Sequence, residues 1–328
     1  MSVRPAILDR YYGAIEAALR DALSIETQLG EILRYHIGFA DGGAPSSLGK
    51  LLRPALVLFI AKGLGGDPDA VMPAAVGLEF VHGFSLIHDD VQDRDEVRRG
   101  RPAVWTRWGI PQAINAGDLM QAIAVRQGLE AGPASAAALL AATMEMIEGQ
   151  SLDLSFEERF VDTEAYLGMV DKKTGALFRC ALRLGGLAAE ASDEVLDRLD
   201  RLGVCIGRAF QIQDDLLGVW GDGDVLGKPT ASDIRRRKKA FPVALTHARA
   251  TTEDRAELER VYAGDAVGAD AVEWVVGLME RLGVRGEAEA AVGRYVQEAL
   301  DLVDAIPLAE DGRDDLKDLI RFLARREK

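Results

Sequence analysis

The sequence places a cluster of acids, HDDVQDRDEVRR (residues 88–99), directly after the apolar run FSLI (residues 84–87). If this segment is helical, Asp89 and Asp93 stand one turn apart on the same face. Such carboxylates repel one another unless a cation lies between them, and oxygen ligands at this spacing suit Mg²⁺. The arginine pair that ends the segment is suited to binding phosphate. For this motif alone, an acidic helix end with scattered charges is the alternative.

A second acidic segment, QIQDD (residues 211–215), lies near the end of another helical pattern. Ser192 is a suitable N-cap for a helix that runs to Trp220, with two acids in its first turn. The polar loop that follows, residues 221–239, contains glycines and a basic run. A mobile loop with lysines opposite acidic clusters is typical of a lid over phosphate groups; a solvated charged face is the alternative.

An almost wholly apolar segment leads from about residue 70 into the first acidic cluster. A helix that is apolar on all sides is predicted to be central and surrounded by other helices. It carries Glu79 and His82, and buried polar groups need a partner or a purpose. Upstream, Lys50 and Arg53 share a face at a predicted helix start. Taken singly, a satisfied core histidine and a solvated basic pair are the alternatives for these residues.

The composition predicts a helical protein. The chain has 328 residues, of which 48% are hydrophobic and 28% charged, so it can bury a substantial core. An amphipathic helix is expected over residues 7–35, and helices broken at Gly264 and at residues 283–286 are expected after residue 241. Strand alternation and repeats do not appear. One all-α domain over residues 1–328 is therefore predicted.

The charge and the cysteines bound the function. The formal net charge of −14 argues against nucleic acid as a partner, since such binding neutralises phosphates with basic residues. Cys180 and Cys205 lack metal-ligand spacing and suit buried thiols in a reducing compartment. The N-terminus lacks an apolar signal core, and the longest apolar stretch, residues 134–144, is too short to span a bilayer. A cytoplasmic protein without a transmembrane segment is expected.

Together these signals describe two carboxylate faces across a helix-lined cavity, with apolar helices behind them. Such a site would bind a diphosphate with a hydrocarbon tail. The sequence here resembles the trans-type isoprenyl diphosphate synthases, or polyprenyl synthetases, over about residues 48–243. The matching motifs follow the family order: GKxxRP (49–54), ExxH (79–82), SLIHDDxxD (85–93), RRGxP (98–102), AGD (116–118), GQxxD (149–153), KTG (173–175), QxxDD (211–215), GK (227–228) and the segment 233–242.

The resemblance implies a fold and an activity. The fold would be the isoprenoid synthase type I fold, a single-domain antiparallel helix bundle around a central cavity. The activity would be the head-to-tail (1′-4) condensation of isopentenyl diphosphate with an allylic diphosphate, which is dimethylallyl, geranyl or farnesyl diphosphate. The resemblance also implies three Mg²⁺ ions in each active site, with Mn²⁺ as a possible substitute, and a homodimer.

The same resemblance assigns a role to each matching position. The carboxylates around the metal ions would be Asp89, Asp93, Asp214 and Asp215, with Asp90 as a weak ligand or as a residue that supports the ligands. The basic contacts of the allylic diphosphate would be Arg98, Lys173, Lys228 and Lys238. The pocket for the diphosphate of isopentenyl diphosphate would be formed by Lys50, Arg53, His82 and Arg99. The polar groups facing the carbocation would be Thr174 and Gln211.

The sequence departs from the family in its second acidic motif. Gly218 stands where a third aspartate is common, and Asp215 and Asp222 are the residues available to compensate. Arg237 and Ala240 replace a glycine and a threonine beside the lid lysines, which puts the choice of Lys238 over Lys239 in question.

Product length would depend on pocket depth along the first motif's helix. Phe84 is bulky and Ser85 is small, a pairing that resembles enzymes that stop near C20. Geranylgeranyl diphosphate is therefore the expected product, with farnesyl diphosphate as the alternative. A class I terpene cyclase shares the first motif but needs no second-substrate pocket, so Lys50, Arg53 and His82 favour a synthase. A non-catalytic partner subunit is the remaining alternative.

Overall fold

The chain folds almost entirely into α-helices, as its composition predicts. The computed structural model describes residues 5–39, 51–221, 231–264 and 267–325, and it is 81% helical. The helices are α1 (Ala6–Arg10), α2 (Tyr12–Ala22), α3 (Gln28–Ile37), α4 (Leu52–Gly63), α5 (Pro68–Gln92), α6 (Val104–Trp108), α7 (Ile110–Glu130), α8 (Pro133–Phe156), α9 (Thr163–Val170), a π-helix (Asp171–Gly175), α10 (Ala176–Ala188), α11 (Asp193–Trp220), α12 (Ser232–Arg235), α13 (Phe241–Arg249), α14 (Thr252–Ala263), α15 (Ala269–Arg281), α16 (Val284–Asp304) and α17 (Glu310–Arg325).

The N-terminal segment predicted as one helix over residues 7–35 is divided into three helices. A turn separates α2 from α3, and Thr27 caps α3 by accepting a hydrogen bond from the Gly30 amide. Hydrophobic spacing did not reveal this turn, because the helices on both sides of it bury an apolar face. The helix predicted to run to Trp220 is confirmed as α11, with Ser192 in the N-cap position.

α5 is the central helix of the bundle. It packs against α4, α7, α8 and α10, and it begins behind Asp67, whose carboxylate accepts a hydrogen bond from the Asp69 amide. α7 comes close at Gly83, where a Cβ atom would lie 2.6 Å from the Met120 sulfur. Among the described residues, α5 is also the one helix long and apolar enough to cross a bilayer, and 67% of its apolar window is buried inside the fold. Neighbouring helices thus account for its apolar character.

Two hydrophobic clusters lie along α11. The first is built from α1–α8, α10, the N-terminal half of α11, α16 and α17. The second is built from α9, the C-terminal half of α11 and α12–α16. The predicted breaks near Gly264 and Gly283 separate α14, α15 and α16. Since α11 and α16 contribute to both clusters, they join the two halves of the core; the assignment of residues 1–328 to a single domain stays a prediction.

One β-hairpin interrupts the helices, and the sequence did not predict it. Strands β1 (Val97–Arg98) and β2 (Arg101–Pro102) pair antiparallel, with Arg98 opposite Arg101. Strands of two residues are too short to produce an alternating pattern. The turn residues Arg99 and Gly100 have φ of 52° and 73°, the left-handed pair that tight hairpins need. The hairpin therefore presents Arg99 at its tip.

α10 and α11 pack closely at Gly203, where a Cβ atom would lie 2.6 Å from the main chain of Arg179. We expect Gly203→Ala to lower the free energy of unfolding by about 1–3 kcal/mol, because the two helices must move apart. Urea unfolding followed by circular dichroism measures this change. Gly293→Ala is the matched control, since a Cβ there meets no atom within 4 Å and alanine favours helix. Equal destabilisation by both substitutions would contradict the packing argument.

Candidate active site

The first acidic cluster lies at the C-terminal end of α5. Asp93 caps the helix, and its amide donates to the Asp89 carbonyl oxygen at 2.8 Å. Burial raises the pKa of Asp89 to about 6, although the nearby Lys173 lowers it; the charges of Asp93 and Asp153 raise it further. Burial and neighbouring negative charge both disfavour the ionised carboxylate. The protein alone thus leaves Asp89 short of positive charge.

Asp90 faces the hairpin rather than its acidic neighbours. Its side chain is 1% exposed, and its Oδ1 accepts hydrogen bonds from the guanidinium of Arg98, with Nε at 2.8 Å. Its carbonyl oxygen accepts from the Asp95 amide at 2.9 Å. Its Oδ2 is buried and has no hydrogen-bond partner among the described residues. Asp90 therefore fixes Arg98 against the end of α5.

The second acidic cluster lies in the last two turns of α11, where Asp215 is fully buried. Its Oδ2 accepts hydrogen bonds from the Tyr166 hydroxyl at 2.5 Å and the Phe241 amide at 3.1 Å. Its Oδ1 accepts from Gln211 Nε2 at 3.0 Å and lies 3.7 Å from Lys238 Nζ. Burial raises the pKa of Asp215 to about 6 in spite of these partners. Asp215 thus ties α11 to α9 and α13.

Asp153 on α8 connects the two clusters. Its Oδ2 forms an ion pair with Lys173 on the π-helix, and its charge acts on Asp89 of the first cluster. It also acts on Lys238: burial disfavours the ammonium, but Asp153 and three other carboxylates, Asp214 among them, raise the pKa of Lys238. The two acidic segments are therefore brought together around one α8 carboxylate.

The π-helix turns the Thr174 side chain toward α11 and the Lys173 side chain toward Asp153 of α8. The Thr174 hydroxyl donates to Gln211 Oε1 at 2.9 Å, and Gln211 in turn donates to Asp215. α8 packs directly on this turn, since a Cβ on Gly149 would lie 2.2 Å from the Lys173 amide nitrogen. Single π-turns inside α-helices are frequent at functional sites. Here the wider turn presents consecutive residues to the acidic clusters.

A cationic pocket lies beside the middle of α5. The Arg53 guanidinium lies 5.1 Å from the centre of the Phe178 ring, and burial raises the pKa of Glu79 while Arg53 and Arg99 lower it. Burial and the same two arginines hold the pKa of His82 well below its ordinary value. His82 is therefore neutral near pH 7. The charges of both arginines thus act on the buried Glu79 and His82 of α5.

The comparison with known proteins agrees with this geometry. The sequence model of the polyprenyl synthetase family matches residues 44–279. This chain belongs to the polyprenyl synthetase family. Like its relatives, it is a prenyltransferase.

Similar proteins cover nearly the whole chain. It is 39% identical to a (2E,6E)-farnesyl diphosphate synthase of Mycobacterium tuberculosis, over 92% of this chain and 88% of the relative. It is 37% identical to a geranylgeranyl diphosphate synthase of the same organism, over 98% and 94%. The structure of a polyprenyl synthetase from Streptomyces coelicolor A3(2) superposes with a TM-score of 0.88 at 35% identity, over 97% of this chain and 98% of that one. The expected fold is thereby confirmed.

Most residues predicted for the site in this polyprenyl synthetase lie in the described part of the chain. Lys50, Lys228 and Asp222 lie outside the described residues. The roles of the others stay predictions. Asp90 Oδ1 accepts hydrogen bonds from Arg98, and both oxygens of Asp215 accept hydrogen bonds from protein donors.

The remaining acids have the donor chemistry that suits Mg²⁺. No group of three or more His, Cys, Asp or Glu residues able to hold a metal ion occurs among the described residues. Magnesium in such enzymes is typically bound by one or two carboxylates and by substrate phosphate oxygens. Asp89, Asp93 and Asp214 offer carboxylate oxygens only, and burial raises the pKa of Asp89 to about 6. This donor set fits the metal.

Two further residues belong to the site although the sequence analysis assigned them no role. Asp153 stands in the GQxxD motif and bridges the clusters. Asp233 lies over Gly218, where a Cβ would be 2.2 Å from its Oδ2. Both residues stand in matching motifs, Asp153 in GQxxD and Asp233 at the start of the segment 233–242, but the approach of Asp233 to Gly218 is visible only in the fold, where α12 meets α11. The carboxylate of Asp233 thus occupies the space that a side chain at position 218 would need.

Proposed function

We propose that the chain joins isopentenyl diphosphate head-to-tail (1′-4) to an allylic diphosphate (dimethylallyl, geranyl or farnesyl) and stops at C20, geranylgeranyl diphosphate. A C15 product, farnesyl diphosphate, is the second candidate. The proposal rests above all on the junction of the two acidic segments around Asp153 and Lys173, beside the cationic pocket of Arg53 and Arg99. The acidic segments would accommodate the departing diphosphate, and the cationic pocket would accommodate the diphosphate of the second substrate.

The allylic diphosphate would lie between the acidic segments. Three Mg²⁺ ions (or Mn²⁺) held by Asp89, Asp93 and Asp214 would supply positive charge to the diphosphate as its bond to carbon breaks. Lys173 and Lys238 would add fixed positive charge from the protein, together with Arg98 from the hairpin. Both lysines already face carboxylates, so they are in place before the substrate arrives.

Isopentenyl diphosphate would occupy the cationic pocket. Arg53 and Arg99 would bind its diphosphate, and neutral His82 would donate or accept a hydrogen bond without adding charge. The pocket would hold the double bond beside the allylic carbon, and this would make the attack effectively unimolecular. Lys50, outside the described residues, is assigned to the same pocket.

The allylic cation would be stabilised and protected by the walls between the two diphosphate sites. The Thr174 hydroxyl donates a hydrogen bond to Gln211, so the lone pairs of its oxygen can face the developing positive charge. No described side chain has an evident general-base arrangement, so the released diphosphate would take the proton. Water would quench the cation; the segment assigned to exclude it, residues 221–239, lies partly outside the described residues, at 222–230.

Phe84 supports a C20 product. It lies on α5 five residues before Asp89, is 3% exposed, and packs edge-on to His88 with ring centroids 5.8 Å apart. A prenyl chain growing back along α5 would meet this ring after passing the small Ser85, whose hydroxyl is turned to the His82 carbonyl at 2.8 Å. The relatives include both farnesyl and geranylgeranyl diphosphate synthases, so product length is the finer part of the proposal.

Quaternary structure and location are proposed on separate observations. Exposed apolar side chains gather on α7 and α8: Ile110, Ile114, Leu129, Leu140, Met144 and Ile147. Apolar surface of this kind marks association, and a homodimer is proposed; a monomeric mass in sedimentation at micromolar concentration would contradict it.

A cytoplasmic location is proposed from the two free, buried cysteines, and cell fractionation tests it.

The activity is tested with radiolabelled isopentenyl diphosphate, Mg²⁺ and each allylic starter in separate reactions, followed by chromatography. We expect all three starters to be extended, C20 to accumulate, and EDTA to stop the reaction. Absence of chain growth with any starter would contradict the proposal and favour a cyclase or a non-catalytic subunit. Accumulation of C15 would establish the second candidate.

The proposal that the Phe84 ring limits the length of the prenyl chain, as the floor of its pocket, is tested with Phe84→Ala. Removing the ring opens space along α5, so products longer than C20 are expected when isopentenyl diphosphate is in excess. Phe59→Ala on α4 is the matched control, because Phe59 is also 3% exposed and lies on a different helix. The same product length in wild type and Phe84→Ala would remove Phe84 as the floor.

The role of Asp233 is tested with Gly218→Ala, because the added methyl group must displace the Asp233 carboxylate. If Asp233 completes the acidic face at this point, the affinity for Mg²⁺ should fall roughly 10-fold, as for other groups that orient metal sites. Calorimetry with Mg²⁺ and inorganic pyrophosphate measures this affinity independently of turnover. Gly168→Ala on α9 is the control, since its Cβ meets no atom within 4 Å. Unchanged Mg²⁺ affinity in Gly218→Ala would exclude this role for Asp233.

A further inference from the structure

The arginine at the hairpin tip is held in a strained backbone conformation. Arg99 has φ of 52°, a left-handed conformation that is unfavourable for a residue with a side chain. The hairpin has only two residues in each strand. A two-stranded ribbon this short is not stable by itself in water. Contacts from outside the hairpin must therefore keep Arg99 in place.

Tyr35, near the C-terminal end of α3, makes two hydrogen bonds to the second strand. Its hydroxyl donates to the Pro102 carbonyl oxygen at 2.8 Å. Its own carbonyl oxygen accepts from Arg101 Nη2 at 3.0 Å. Both residues of β2 are therefore bound to one residue of α3. Tyr35 is 5% exposed, so these bonds are shielded from water.

The Tyr35 ring is itself fixed by its neighbours. The guanidinium groups of Arg101 and Arg107 lie 4.8 and 4.7 Å from the ring centre. The Trp108 ring packs edge-on, with centroids 4.9 Å apart and planes at 77°. Cation–π and edge-to-face contacts of this kind restrict the orientation of an aromatic side chain. The hydroxyl is consequently aimed at one acceptor.

The residue after Tyr35 ties α3 to the other side of the same pocket. His36 is buried, and its ring lies close to the backbone of Gly83, the residue that follows His82 on α5. Two consecutive residues of α3 thus contact the hairpin that carries Arg99 and the helix that carries His82. The distance between the two parts of the cationic pocket is set by α3.

We propose that Tyr35 is a positioning residue for the isopentenyl diphosphate pocket: its hydroxyl bond to Pro102 holds the hairpin so that Arg99 is pre-organised for the diphosphate. The inference rests on the proposed function of that pocket. Arg98 depends less on Tyr35, because Asp90 binds its guanidinium directly. The effect of Tyr35 is accordingly selective for one of the two substrates.

The test is Tyr35→Phe, which removes the hydroxyl bond and keeps the ring contacts and the backbone acceptor. Calorimetry with isopentenyl diphosphate, without metal or allylic substrate, should show a Kd about five-fold higher, equivalent to one hydrogen bond of about 1 kcal/mol. The KM for isopentenyl diphosphate should rise by a similar factor, while the KM for the allylic diphosphate and kcat stay within two-fold.

The control is Tyr262→Phe, because the Tyr262 hydroxyl is buried and has no hydrogen-bond partner among the described residues. It should leave both KM values unchanged. A purely structural role for Tyr35 would lower the melting temperature and affect both substrates alike, which would overturn the inference. An unchanged Kd in Tyr35→Phe would overturn it as well. Failure of the wild-type protein to bind isopentenyl diphosphate would instead overturn the proposed function of the pocket.

Discussion

Repulsion between carboxylates is the constraint around which this structure is organised. The folded chain brings Asp89 and Asp214 to the same region as Asp153, and burial together with the charges of Asp93 and Asp153 raises the pKa of Asp89. Lys173 and Lys238 offset part of this charge. The remaining negative charge is what the proposed Mg²⁺ ions would neutralise. The long apolar helices provide the rigid frame that holds the acids together against their repulsion.

The charged residues divide into those that face the site and those that hold others in position. Asp90 accepts hydrogen bonds from Arg98, and Asp215 accepts hydrogen bonds from residues of α9, α11 and α13. Carboxylates that accept several hydrogen bonds fix the elements around them. In each acidic pair, one aspartate, Asp90 or Asp215, therefore holds neighbouring elements in position. An isolated DD motif cannot show this division.

Membership of the polyprenyl synthetase family and the cationic pocket separate this chain from a terpene cyclase, which would need one diphosphate site. The pocket joins Arg53 from α4, His82 from α5 and Arg99 from the hairpin. Its three components lie on separate elements, so its geometry depends on how those elements are tied together. The acidic segments, in contrast, sit at the ends of long helices whose direction is set by the core.

The sequence by itself determined the helical class, the central position of α5, the extent of α11 and the identity of the two acidic segments. These features depend on local composition and periodicity, which a single chain displays directly. It did not reveal the turn between α2 and α3, the hairpin, or the contact of Asp233 with Gly218. Only the tertiary structure decided those, and also which aspartate of each pair is used internally. The physical reason is that these features depend on contacts between residues that are far apart in the chain. Such contacts do not produce a periodic pattern in the sequence.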